Sequence, residues 1–106
     1  MLTSLAMEEI VAHLGGRARL DAIGARNFVA DGAKISFTLR RNPNGVHAVT
    51  IAQQARGAYR MECFGPIAPG TFQAQRIASA GGVVAENLAT VLGRLTGIES
   101  LHHHHF

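Results

Sequence analysis

The chain has 106 residues, of which 47% are hydrophobic and 16% are charged. This length fits a single domain, and this composition excludes an intrinsically disordered chain. Ten basic residues against seven acidic ones give a formal net charge of +3, which permits an acidic protein or nucleic-acid partner without requiring one.

The sequence shows no targeting segment, and it contains a single cysteine. No apolar run approaches the roughly 18 residues of a membrane helix, so we expect no membrane span. No basic start precedes an apolar stretch and a small-residue cleavage site, so we expect no signal peptide. The one cysteine, Cys63, excludes an internal disulfide and a multi-cysteine zinc site. We therefore expect a cytoplasmic protein.

The first predicted element is an α-helix over residues 4–14. Its apolar residues recur at i, i+3, i+4 and i+7 and therefore share one stripe. Gly15-Gly16 ends the helix, because glycine readily adopts the left-handed conformation of a helix C-cap. The stripe consists of Met7, Ile10, Val11 and Leu14.

A stretch of about a dozen residues follows and is predicted to hold at most one short helical turn. Asn27–Ala30 then has the composition of a strand, and Asp31-Gly32 is a hairpin signal.

The centre of the chain is predicted to be an antiparallel meander. Lys34–Arg41 alternates apolar and polar residues at a period of two, which is typical of a strand with one buried face. Asn42–Gly45 contains four turn-forming residues in a row. The further predicted strands are Val46–Gln53, Tyr59–Phe64 and Thr71–Ala78, with a second turn cluster from Gly65 to Gly70. In the last strand the alternation slips after Ala74, as a β-bulge would cause.

The last predicted element is a helix over Val83–Leu95, set off from the strands by Gly81-Gly82. Its apolar stripe consists of Val84, Leu88, Val91 and Leu95. Because short turns join successive strands, the strands must pair antiparallel. The sequence therefore predicts a two-layer α+β domain of an N-terminal helix, a meander of four to five strands and a C-terminal helix, with both helices on one face of the sheet.

Four consecutive histidines stand in the tail Leu101–His105. Such a run binds nickel or zinc, and its position is typical of a purification tag. We therefore assign residues 1–99 to the domain and residues 100–106 to the tag.

Five segments follow one another in the order Leu14-Gly15-Gly16, Ile23–Phe28, Leu39–Asn42, Gly82–Leu88 and Leu95–Ile98. This series resembles small uncharacterised α+β proteins carried by bacteriophages and other mobile genetic elements. The resemblance extends from about residue 5 to 99. It departs from the family pattern at Gln53–Gly57, where the family has an aromatic-rich stretch, and in the fourth strand, which is more hydrophobic in the family. It implies a mobile-element setting and supplies no catalytic residues.

No catalytic constellation emerges from the residue types. Cys63 alternates with Tyr59 and Met61 on the predicted inward face of a strand, where cysteine is usually part of the core. His13 and His47 lie in different elements without a carboxylate or cysteine at ligand spacing. We therefore expect no enzyme, no metal and no cofactor. An unrecognised hydrolase that uses Cys63 with one of the histidines is the enzyme alternative.

The polar face of the predicted sheet is the candidate site. If both helices cover the apolar face, the polar side chains of three strands project toward solvent or a partner. Ser36, Thr38 and Thr50 add hydroxyls to this face. The predicted partner-binding residues are Lys34, Arg40, Arg41, Asn42, Asn44 and Arg60.

A single domain without a catalytic constellation, together with the resemblance, predicts a non-enzymatic binding protein of phage or mobile-element origin that docks on a host protein or nucleoprotein. The resemblance further implies, as an expectation, an inhibitor of a bacterial defence system of the anti-CRISPR kind. The first alternative is a nucleic-acid-binding accessory protein that uses the arginines of the sheet for DNA or RNA. The second is a homodimer in which an edge strand, Asn27–Ala30 or Thr71–Ala78, pairs across a two-fold axis. A plain solvated strand face stays open beside all of them.

Overall fold

The computed structural model of the chain describes residues 4–32, 34–67, 70 and 74–98. Three helices and five strands are present in this part of the chain. In chain order they are α1 (Ser4–His13), α2 (Gly16–Ala22), β1 (Arg26–Asp31), β2 (Lys34–Thr38), β3 (Ala48–Gln53), β4 (Ala58–Ile67), β5 (Ala74–Val84) and α3 (Leu88–Thr96). Short 3₁₀ turns at Ala55–Gly57 and Ala85–Asn87 precede β4 and α3.

The five strands form one antiparallel sheet in the order β1-β2-β3-β4-β5. Each strand pairs with its neighbour in sequence, because the connections are too short for a parallel crossover. The predicted α+β class and meander are therefore confirmed.

One hydrophobic core lies between the sheet and the helices. The inward apolar side chains of β2, β3 and β4 are buried, apart from the half-buried Tyr59, and they pack against apolar residues of all three helices. The helices therefore occupy one face of the sheet. The core side chains with no exposed surface include Ile10, Leu14, Leu20, Ile35, Val49, Ile51, Met61, Cys63, Leu88 and Leu92.

The stretch after α1 is more regular than the sequence predicts. Instead of one helical turn, it forms the seven-residue helix α2. Gly15 lies between the two helices with φ of +111°, a left-handed conformation that glycine adopts without a steric penalty. Leu20, which is fully buried, anchors α2 to the core.

A β-bulge in β1 decides which of its side chains face the core. Arg26 pairs with Thr38 and Val29 pairs with Ser36, so Asn27 and Phe28 together lie opposite Phe37. Asn27 has a φ of +60° and marks the bulge. As a result Phe28 packs on Phe37, with ring centroids 5.2 Å apart, and Val29 faces outward at 55% exposure.

The ends of β2 and β3 differ from the prediction. β2 ends at Thr38 rather than Arg41, and β3 begins at Ala48 rather than Val46. The intervening loop keeps one ladder bond, from the Leu39 amide to the His47 carbonyl at 2.8 Å. Beyond this bond the loop backbone is hydrogen-bonded to the side chain of Asn42 instead of to a neighbouring strand, as described below.

The glycine pair Gly81-Gly82 is not a strand end, which corrects the prediction of a helix over Val83–Leu95. β5 continues through both glycines to Val84, and α3 begins at Leu88 after a 3₁₀ turn. Val84 is 42% exposed on the strand and is no part of a helical stripe. Leu88 and Val91 are buried on α3, as predicted.

Part of the prediction falls on residues outside those the structure describes. These are the start of the predicted fourth strand, residues 71–73, and the predicted tag, residues 100–106. The slip in alternation after Ala74 is confirmed as a register shift, since Phe64 pairs with Arg76 and Cys63 with Ala78. In the described ranges no helix is long and apolar enough to cross a membrane.

Candidate functional site

The face of the sheet opposite the helices, called the outer face here, is organised in three cross-strand rows. The strand register defines each row. The first row is Asp31, Lys34, Ala52 and Arg60; the second is Val29, Ser36, Thr50, Glu62 and Ser79; the third is Arg26, Thr38, Ala48, Phe64 and Arg76.

Small side chains form the centre of the outer face. β3 contributes Ala48, Thr50 and Ala52, all half-buried, and β2 contributes Ser36 beside Thr50. The cations stand around this centre, with Lys34 and Arg60 in the first row and Arg26 and Arg76 in the third. A shallow centre with long basic side chains around it can accept a broad acidic surface.

Glu62 holds two of these arginines in place. Its carboxylate accepts a hydrogen bond from Arg76 at 2.8 Å and lies 3.9 Å from Arg60 Nε. One carboxylate between two guanidiniums leaves one positive charge in the cluster. Because the three side chains are 28% to 56% exposed, these pairs contribute little stability and mainly orient the arginines.

A second β-bulge explains how Arg60 lies across the sheet. Tyr59 pairs with Val83 and Met61 with Ala80, so Gly81 and Gly82 together oppose Arg60. A Cβ on Gly81 would lie 2.6 Å from the end of the Arg60 guanidinium, so a larger residue here would shift the arginine side chain. Gly82 has a φ of +63°, and its amide donates to Gln54 Oε1 at 3.0 Å.

The predicted site residues of the β2–β3 loop lie outside the three rows of the outer face. Arg40 follows the end of β2, and its guanidinium donates a hydrogen bond to the Ala22 carbonyl at the end of α2. Arg41 is exposed and makes no hydrogen bond or ion pair to any residue that the structure describes. Of the six predicted residues, Lys34 and Arg60 therefore belong to the outer face, and the other four, Arg40, Arg41, Asn42 and Asn44, belong to the loop.

Asn42 and Asn44 hold the same loop in place. Asn42 is only 9% exposed; its amide donates to the carbonyl oxygens of Val46 at 2.7 Å and Arg40 at 3.0 Å, and its Oδ1 accepts from the Val46 amide at 2.9 Å. Asn44 donates to the Leu95 carbonyl at 3.0 Å, near the end of α3. Both asparagine side chains thus bind their own protein.

Cys63 is part of the core, as predicted. Its side chain has no exposed surface, and desolvation by burial raises the pKa of the thiol from 9.0 to about 11. The thiol therefore keeps its proton at neutral pH, whereas a nucleophilic cysteine needs a thiolate. His13 and His47 are exposed on different elements. Within the described residues no three His, Cys, Asp or Glu side chains cluster as metal ligands do.

Four charged residues of the outer face are missing from the sequence-based site: Arg26, Asp31, Glu62 and Arg76. Arg76 lies where the alternation of β5 slips, so its face could not be deduced from a period of two. Glu62 appears isolated in sequence, because Arg76 comes next to it only through the β4–β5 register.

The chain was compared with protein-family models, with curated proteins and with solved structures, and none of them matched. The fold and the outer face therefore define the molecule by themselves: a two-layer α+β domain whose meander presents a basic, hydroxyl-bearing face opposite its helices.

Proposed function

We propose that this chain is a non-enzymatic binding protein that docks through its outer face on an acidic surface of a host protein or nucleoprotein. The observation that supports the proposal is the asymmetry of the sheet. The described helices pack on the apolar face, and the outer face carries four cations against two carboxylates, Asp31 and Glu62.

The proposed docking residues are Lys34, Arg60 and Arg76. The ion pairs with Glu62 restrict the two arginines before binding, which lowers the entropy cost of ordering them in a complex. Complementary charge would then speed the encounter and select acidic partners. The buried, protonated state of Cys63 argues against the alternative in which Cys63 is a nucleophile.

The test compares two double variants of equal charge. The double variant Lys34→Glu with Arg60→Glu reverses the net charge of the outer face. The double variant Arg56→Glu with Arg94→Glu makes the same change of charge at exposed positions of the 3₁₀ turn and α3. The chain is used to capture a host protein, which is then purified and titrated. We expect the outer-face variant to bind at least tenfold more weakly and the control to bind nearly as well as the original chain. Equal losses in both variants would contradict the proposal.

The resemblance to proteins of mobile elements extends this proposal to the inhibition of a bacterial defence system in the cytoplasm, of the anti-CRISPR kind. The test is plaque formation by a phage that a CRISPR system targets. We expect expression of the chain to raise plaquing efficiency and the outer-face double variant to abolish the effect. Unchanged plaquing with the original chain would contradict this part.

A nucleic-acid-binding accessory protein is the second candidate, favoured by the hydroxyls of the second row, which lies between the cations of the first and third rows of the outer face. Phosphate binding by three cations predicts that log K falls with log salt at a slope of about −2 to −3. Phe64 is the one aromatic side chain in the three rows, so base stacking would be limited. Titration of single- and double-stranded DNA and of RNA from 50 to 200 mM salt tests this candidate, and no binding at the lowest salt would eliminate it.

A further inference from the structure

A cleft of about 480 Å³ opens between the C-terminal ends of α2 and α3 and the β2–β3 loop. This volume lies in the usual range for sites of small molecules. Its apolar lining comes from Ile23, Pro43 and Ile98, and its charged lining comes from Arg40 and Arg41. None of these residues belongs to the three rows of the outer face.

Arg40 is fixed in position at the cleft. Its side chain crosses Gly24, where a Cβ would lie 2.5 to 2.9 Å from the Arg40 side-chain carbons. Its guanidinium then donates to the Ala22 carbonyl. A guanidinium has five N–H donors, so most of them stay available to a second acceptor. A side chain already held in one conformation loses little entropy when it binds a ligand.

Arg41 stands next to it on a loop that is itself fixed. The buried amide of Asn42 bonds to the backbone on both sides of the turn, at Arg40 and at Val46. The Arg41 guanidinium has no partner among the described residues. The loop thus brings one tethered and one unpartnered arginine to the same cleft.

We propose that this cleft binds a small ligand that carries an oxyanion, a carboxylate or a phosphate, on an apolar body. Guanidinium groups match the planar geometry of a carboxylate and the oxygens of a phosphate. Ile23, Pro43 and Ile98 contact the apolar body. The carbonyl ends of α2 and α3 oppose a bare anion, so burial of the apolar body is needed for affinity. Inorganic phosphate therefore binds more weakly than a phosphate ester with an aromatic body.

The experiment is a titration of the ¹⁵N-labelled chain followed by amide chemical shifts. The probes are phenyl phosphate, benzoate, inorganic phosphate and, as the neutral analogue, benzyl alcohol. We expect saturable shifts at Asn42, Gly97 and Ile98 with phenyl phosphate or benzoate, and weaker ones with inorganic phosphate and with benzyl alcohol. The tighter of the first two probes identifies the oxyanion.

The variant Arg41→Gln removes the charge and leaves a shorter, polar side chain, and Arg56→Gln is the control that makes the same change at an exposed arginine outside the cleft. Loss of a charge-assisted hydrogen bond predicts a fall in affinity of roughly tenfold or more for Arg41→Gln and no change for Arg56→Gln. Equal affinity for benzyl alcohol, full affinity in Arg41→Gln, shifts confined to other regions or no shifts at all would each overturn the proposal. Because Lys34 and Arg60 are unchanged in both variants, this result is independent of docking through the outer face.

Discussion

The side-chain amide of Asn42 pairs with the backbone of Val46 as one strand pairs with another. Oδ1 accepts from the Val46 amide at 2.9 Å and Nδ2 donates to the Val46 carbonyl at 2.7 Å. The loop between β2 and β3 leaves the sheet at this point, and a side chain replaces the missing ladder bonds.

Asn42→Ala should therefore destabilise the fold by about 2–4 kcal/mol, because it leaves the buried amide and carbonyl of Val46 without partners. Asn44→Ala is the matched control. Its bond to the Leu95 carbonyl is exposed, so we expect a loss of about 0.5–1 kcal/mol. Urea denaturation measures both, and equal losses would show that the Asn42 amide has no special role.

Gly24→Ala should cost about 2–3 kcal/mol. The φ of +81° strains any L-residue, and the new Cβ would displace Arg40 from the Ala22 carbonyl. Gly45→Ala has a similar φ of +71° with nothing within 4 Å, so it isolates the backbone strain at about 1 kcal/mol. The difference between the losses of unfolding free energy in Gly24→Ala and Gly45→Ala measures the effect of the close approach of Arg40 to Gly24. A difference near zero would refute that close approach.

Asn27→Val should destabilise the chain by about 1–2 kcal/mol, since a β-branched residue is poorly tolerated at a φ of +60°. Asn27→Gly should change stability by only a few tenths of a kcal/mol, because glycine accepts this conformation. Both variants lose the hydrogen bond from Asn27 to Thr38, so their comparison cancels it. Similar unfolding midpoints for the two would argue against the bulge in β1.

The Cys63 thiol should make stability depend on pH above 9. Its pKa of about 11 in the folded chain lies above the ordinary value of 9.0, so the folded state holds the proton longer than the unfolded state. The contribution of the Cys63 thiol to the free energy of unfolding is complete below pH 9 and is lost between pH 9 and 11, at about 1.4 kcal/mol per pH unit.

Cys63→Ala is the control for this pH dependence. Unfolding free energies from pH 8 to 10.5 should fall less steeply in Cys63→Ala than in the original chain. Parallel curves of unfolding free energy against pH for the two chains would contradict the assignment of this pH dependence to Cys63. A thiol reagent at pH 8 should also react with the folded chain far more slowly than with the unfolded one, because the side chain has no exposed surface.

Much of the outer face could be predicted from a period of two. Lys34 and Thr50 alternate with core residues in uninterrupted strands, so their side of the sheet follows from the sequence. Arg76 could not be assigned in this way, because a bulge in β5 breaks the period. The same period predicts Arg40 in line with Lys34, yet β2 ends at Thr38, two residues before Arg40, and the Arg40 side chain bonds to the Ala22 carbonyl.

The order of the elements and the inward face of most strands could be predicted from the sequence alone, because the spacing of apolar residues reflects which side chains leave water. Tertiary structure decided where two residues oppose one, as at Asn27 and at Gly81-Gly82, since a bulge depends on the partner strand. It also decided that Asn42 and Asn44 bind their own backbone. A turn-forming asparagine looks the same in the sequence whether its amide binds water, a partner or a backbone carbonyl about fifty residues away. For Asn44 the packing of α3 against the loop supplies that carbonyl.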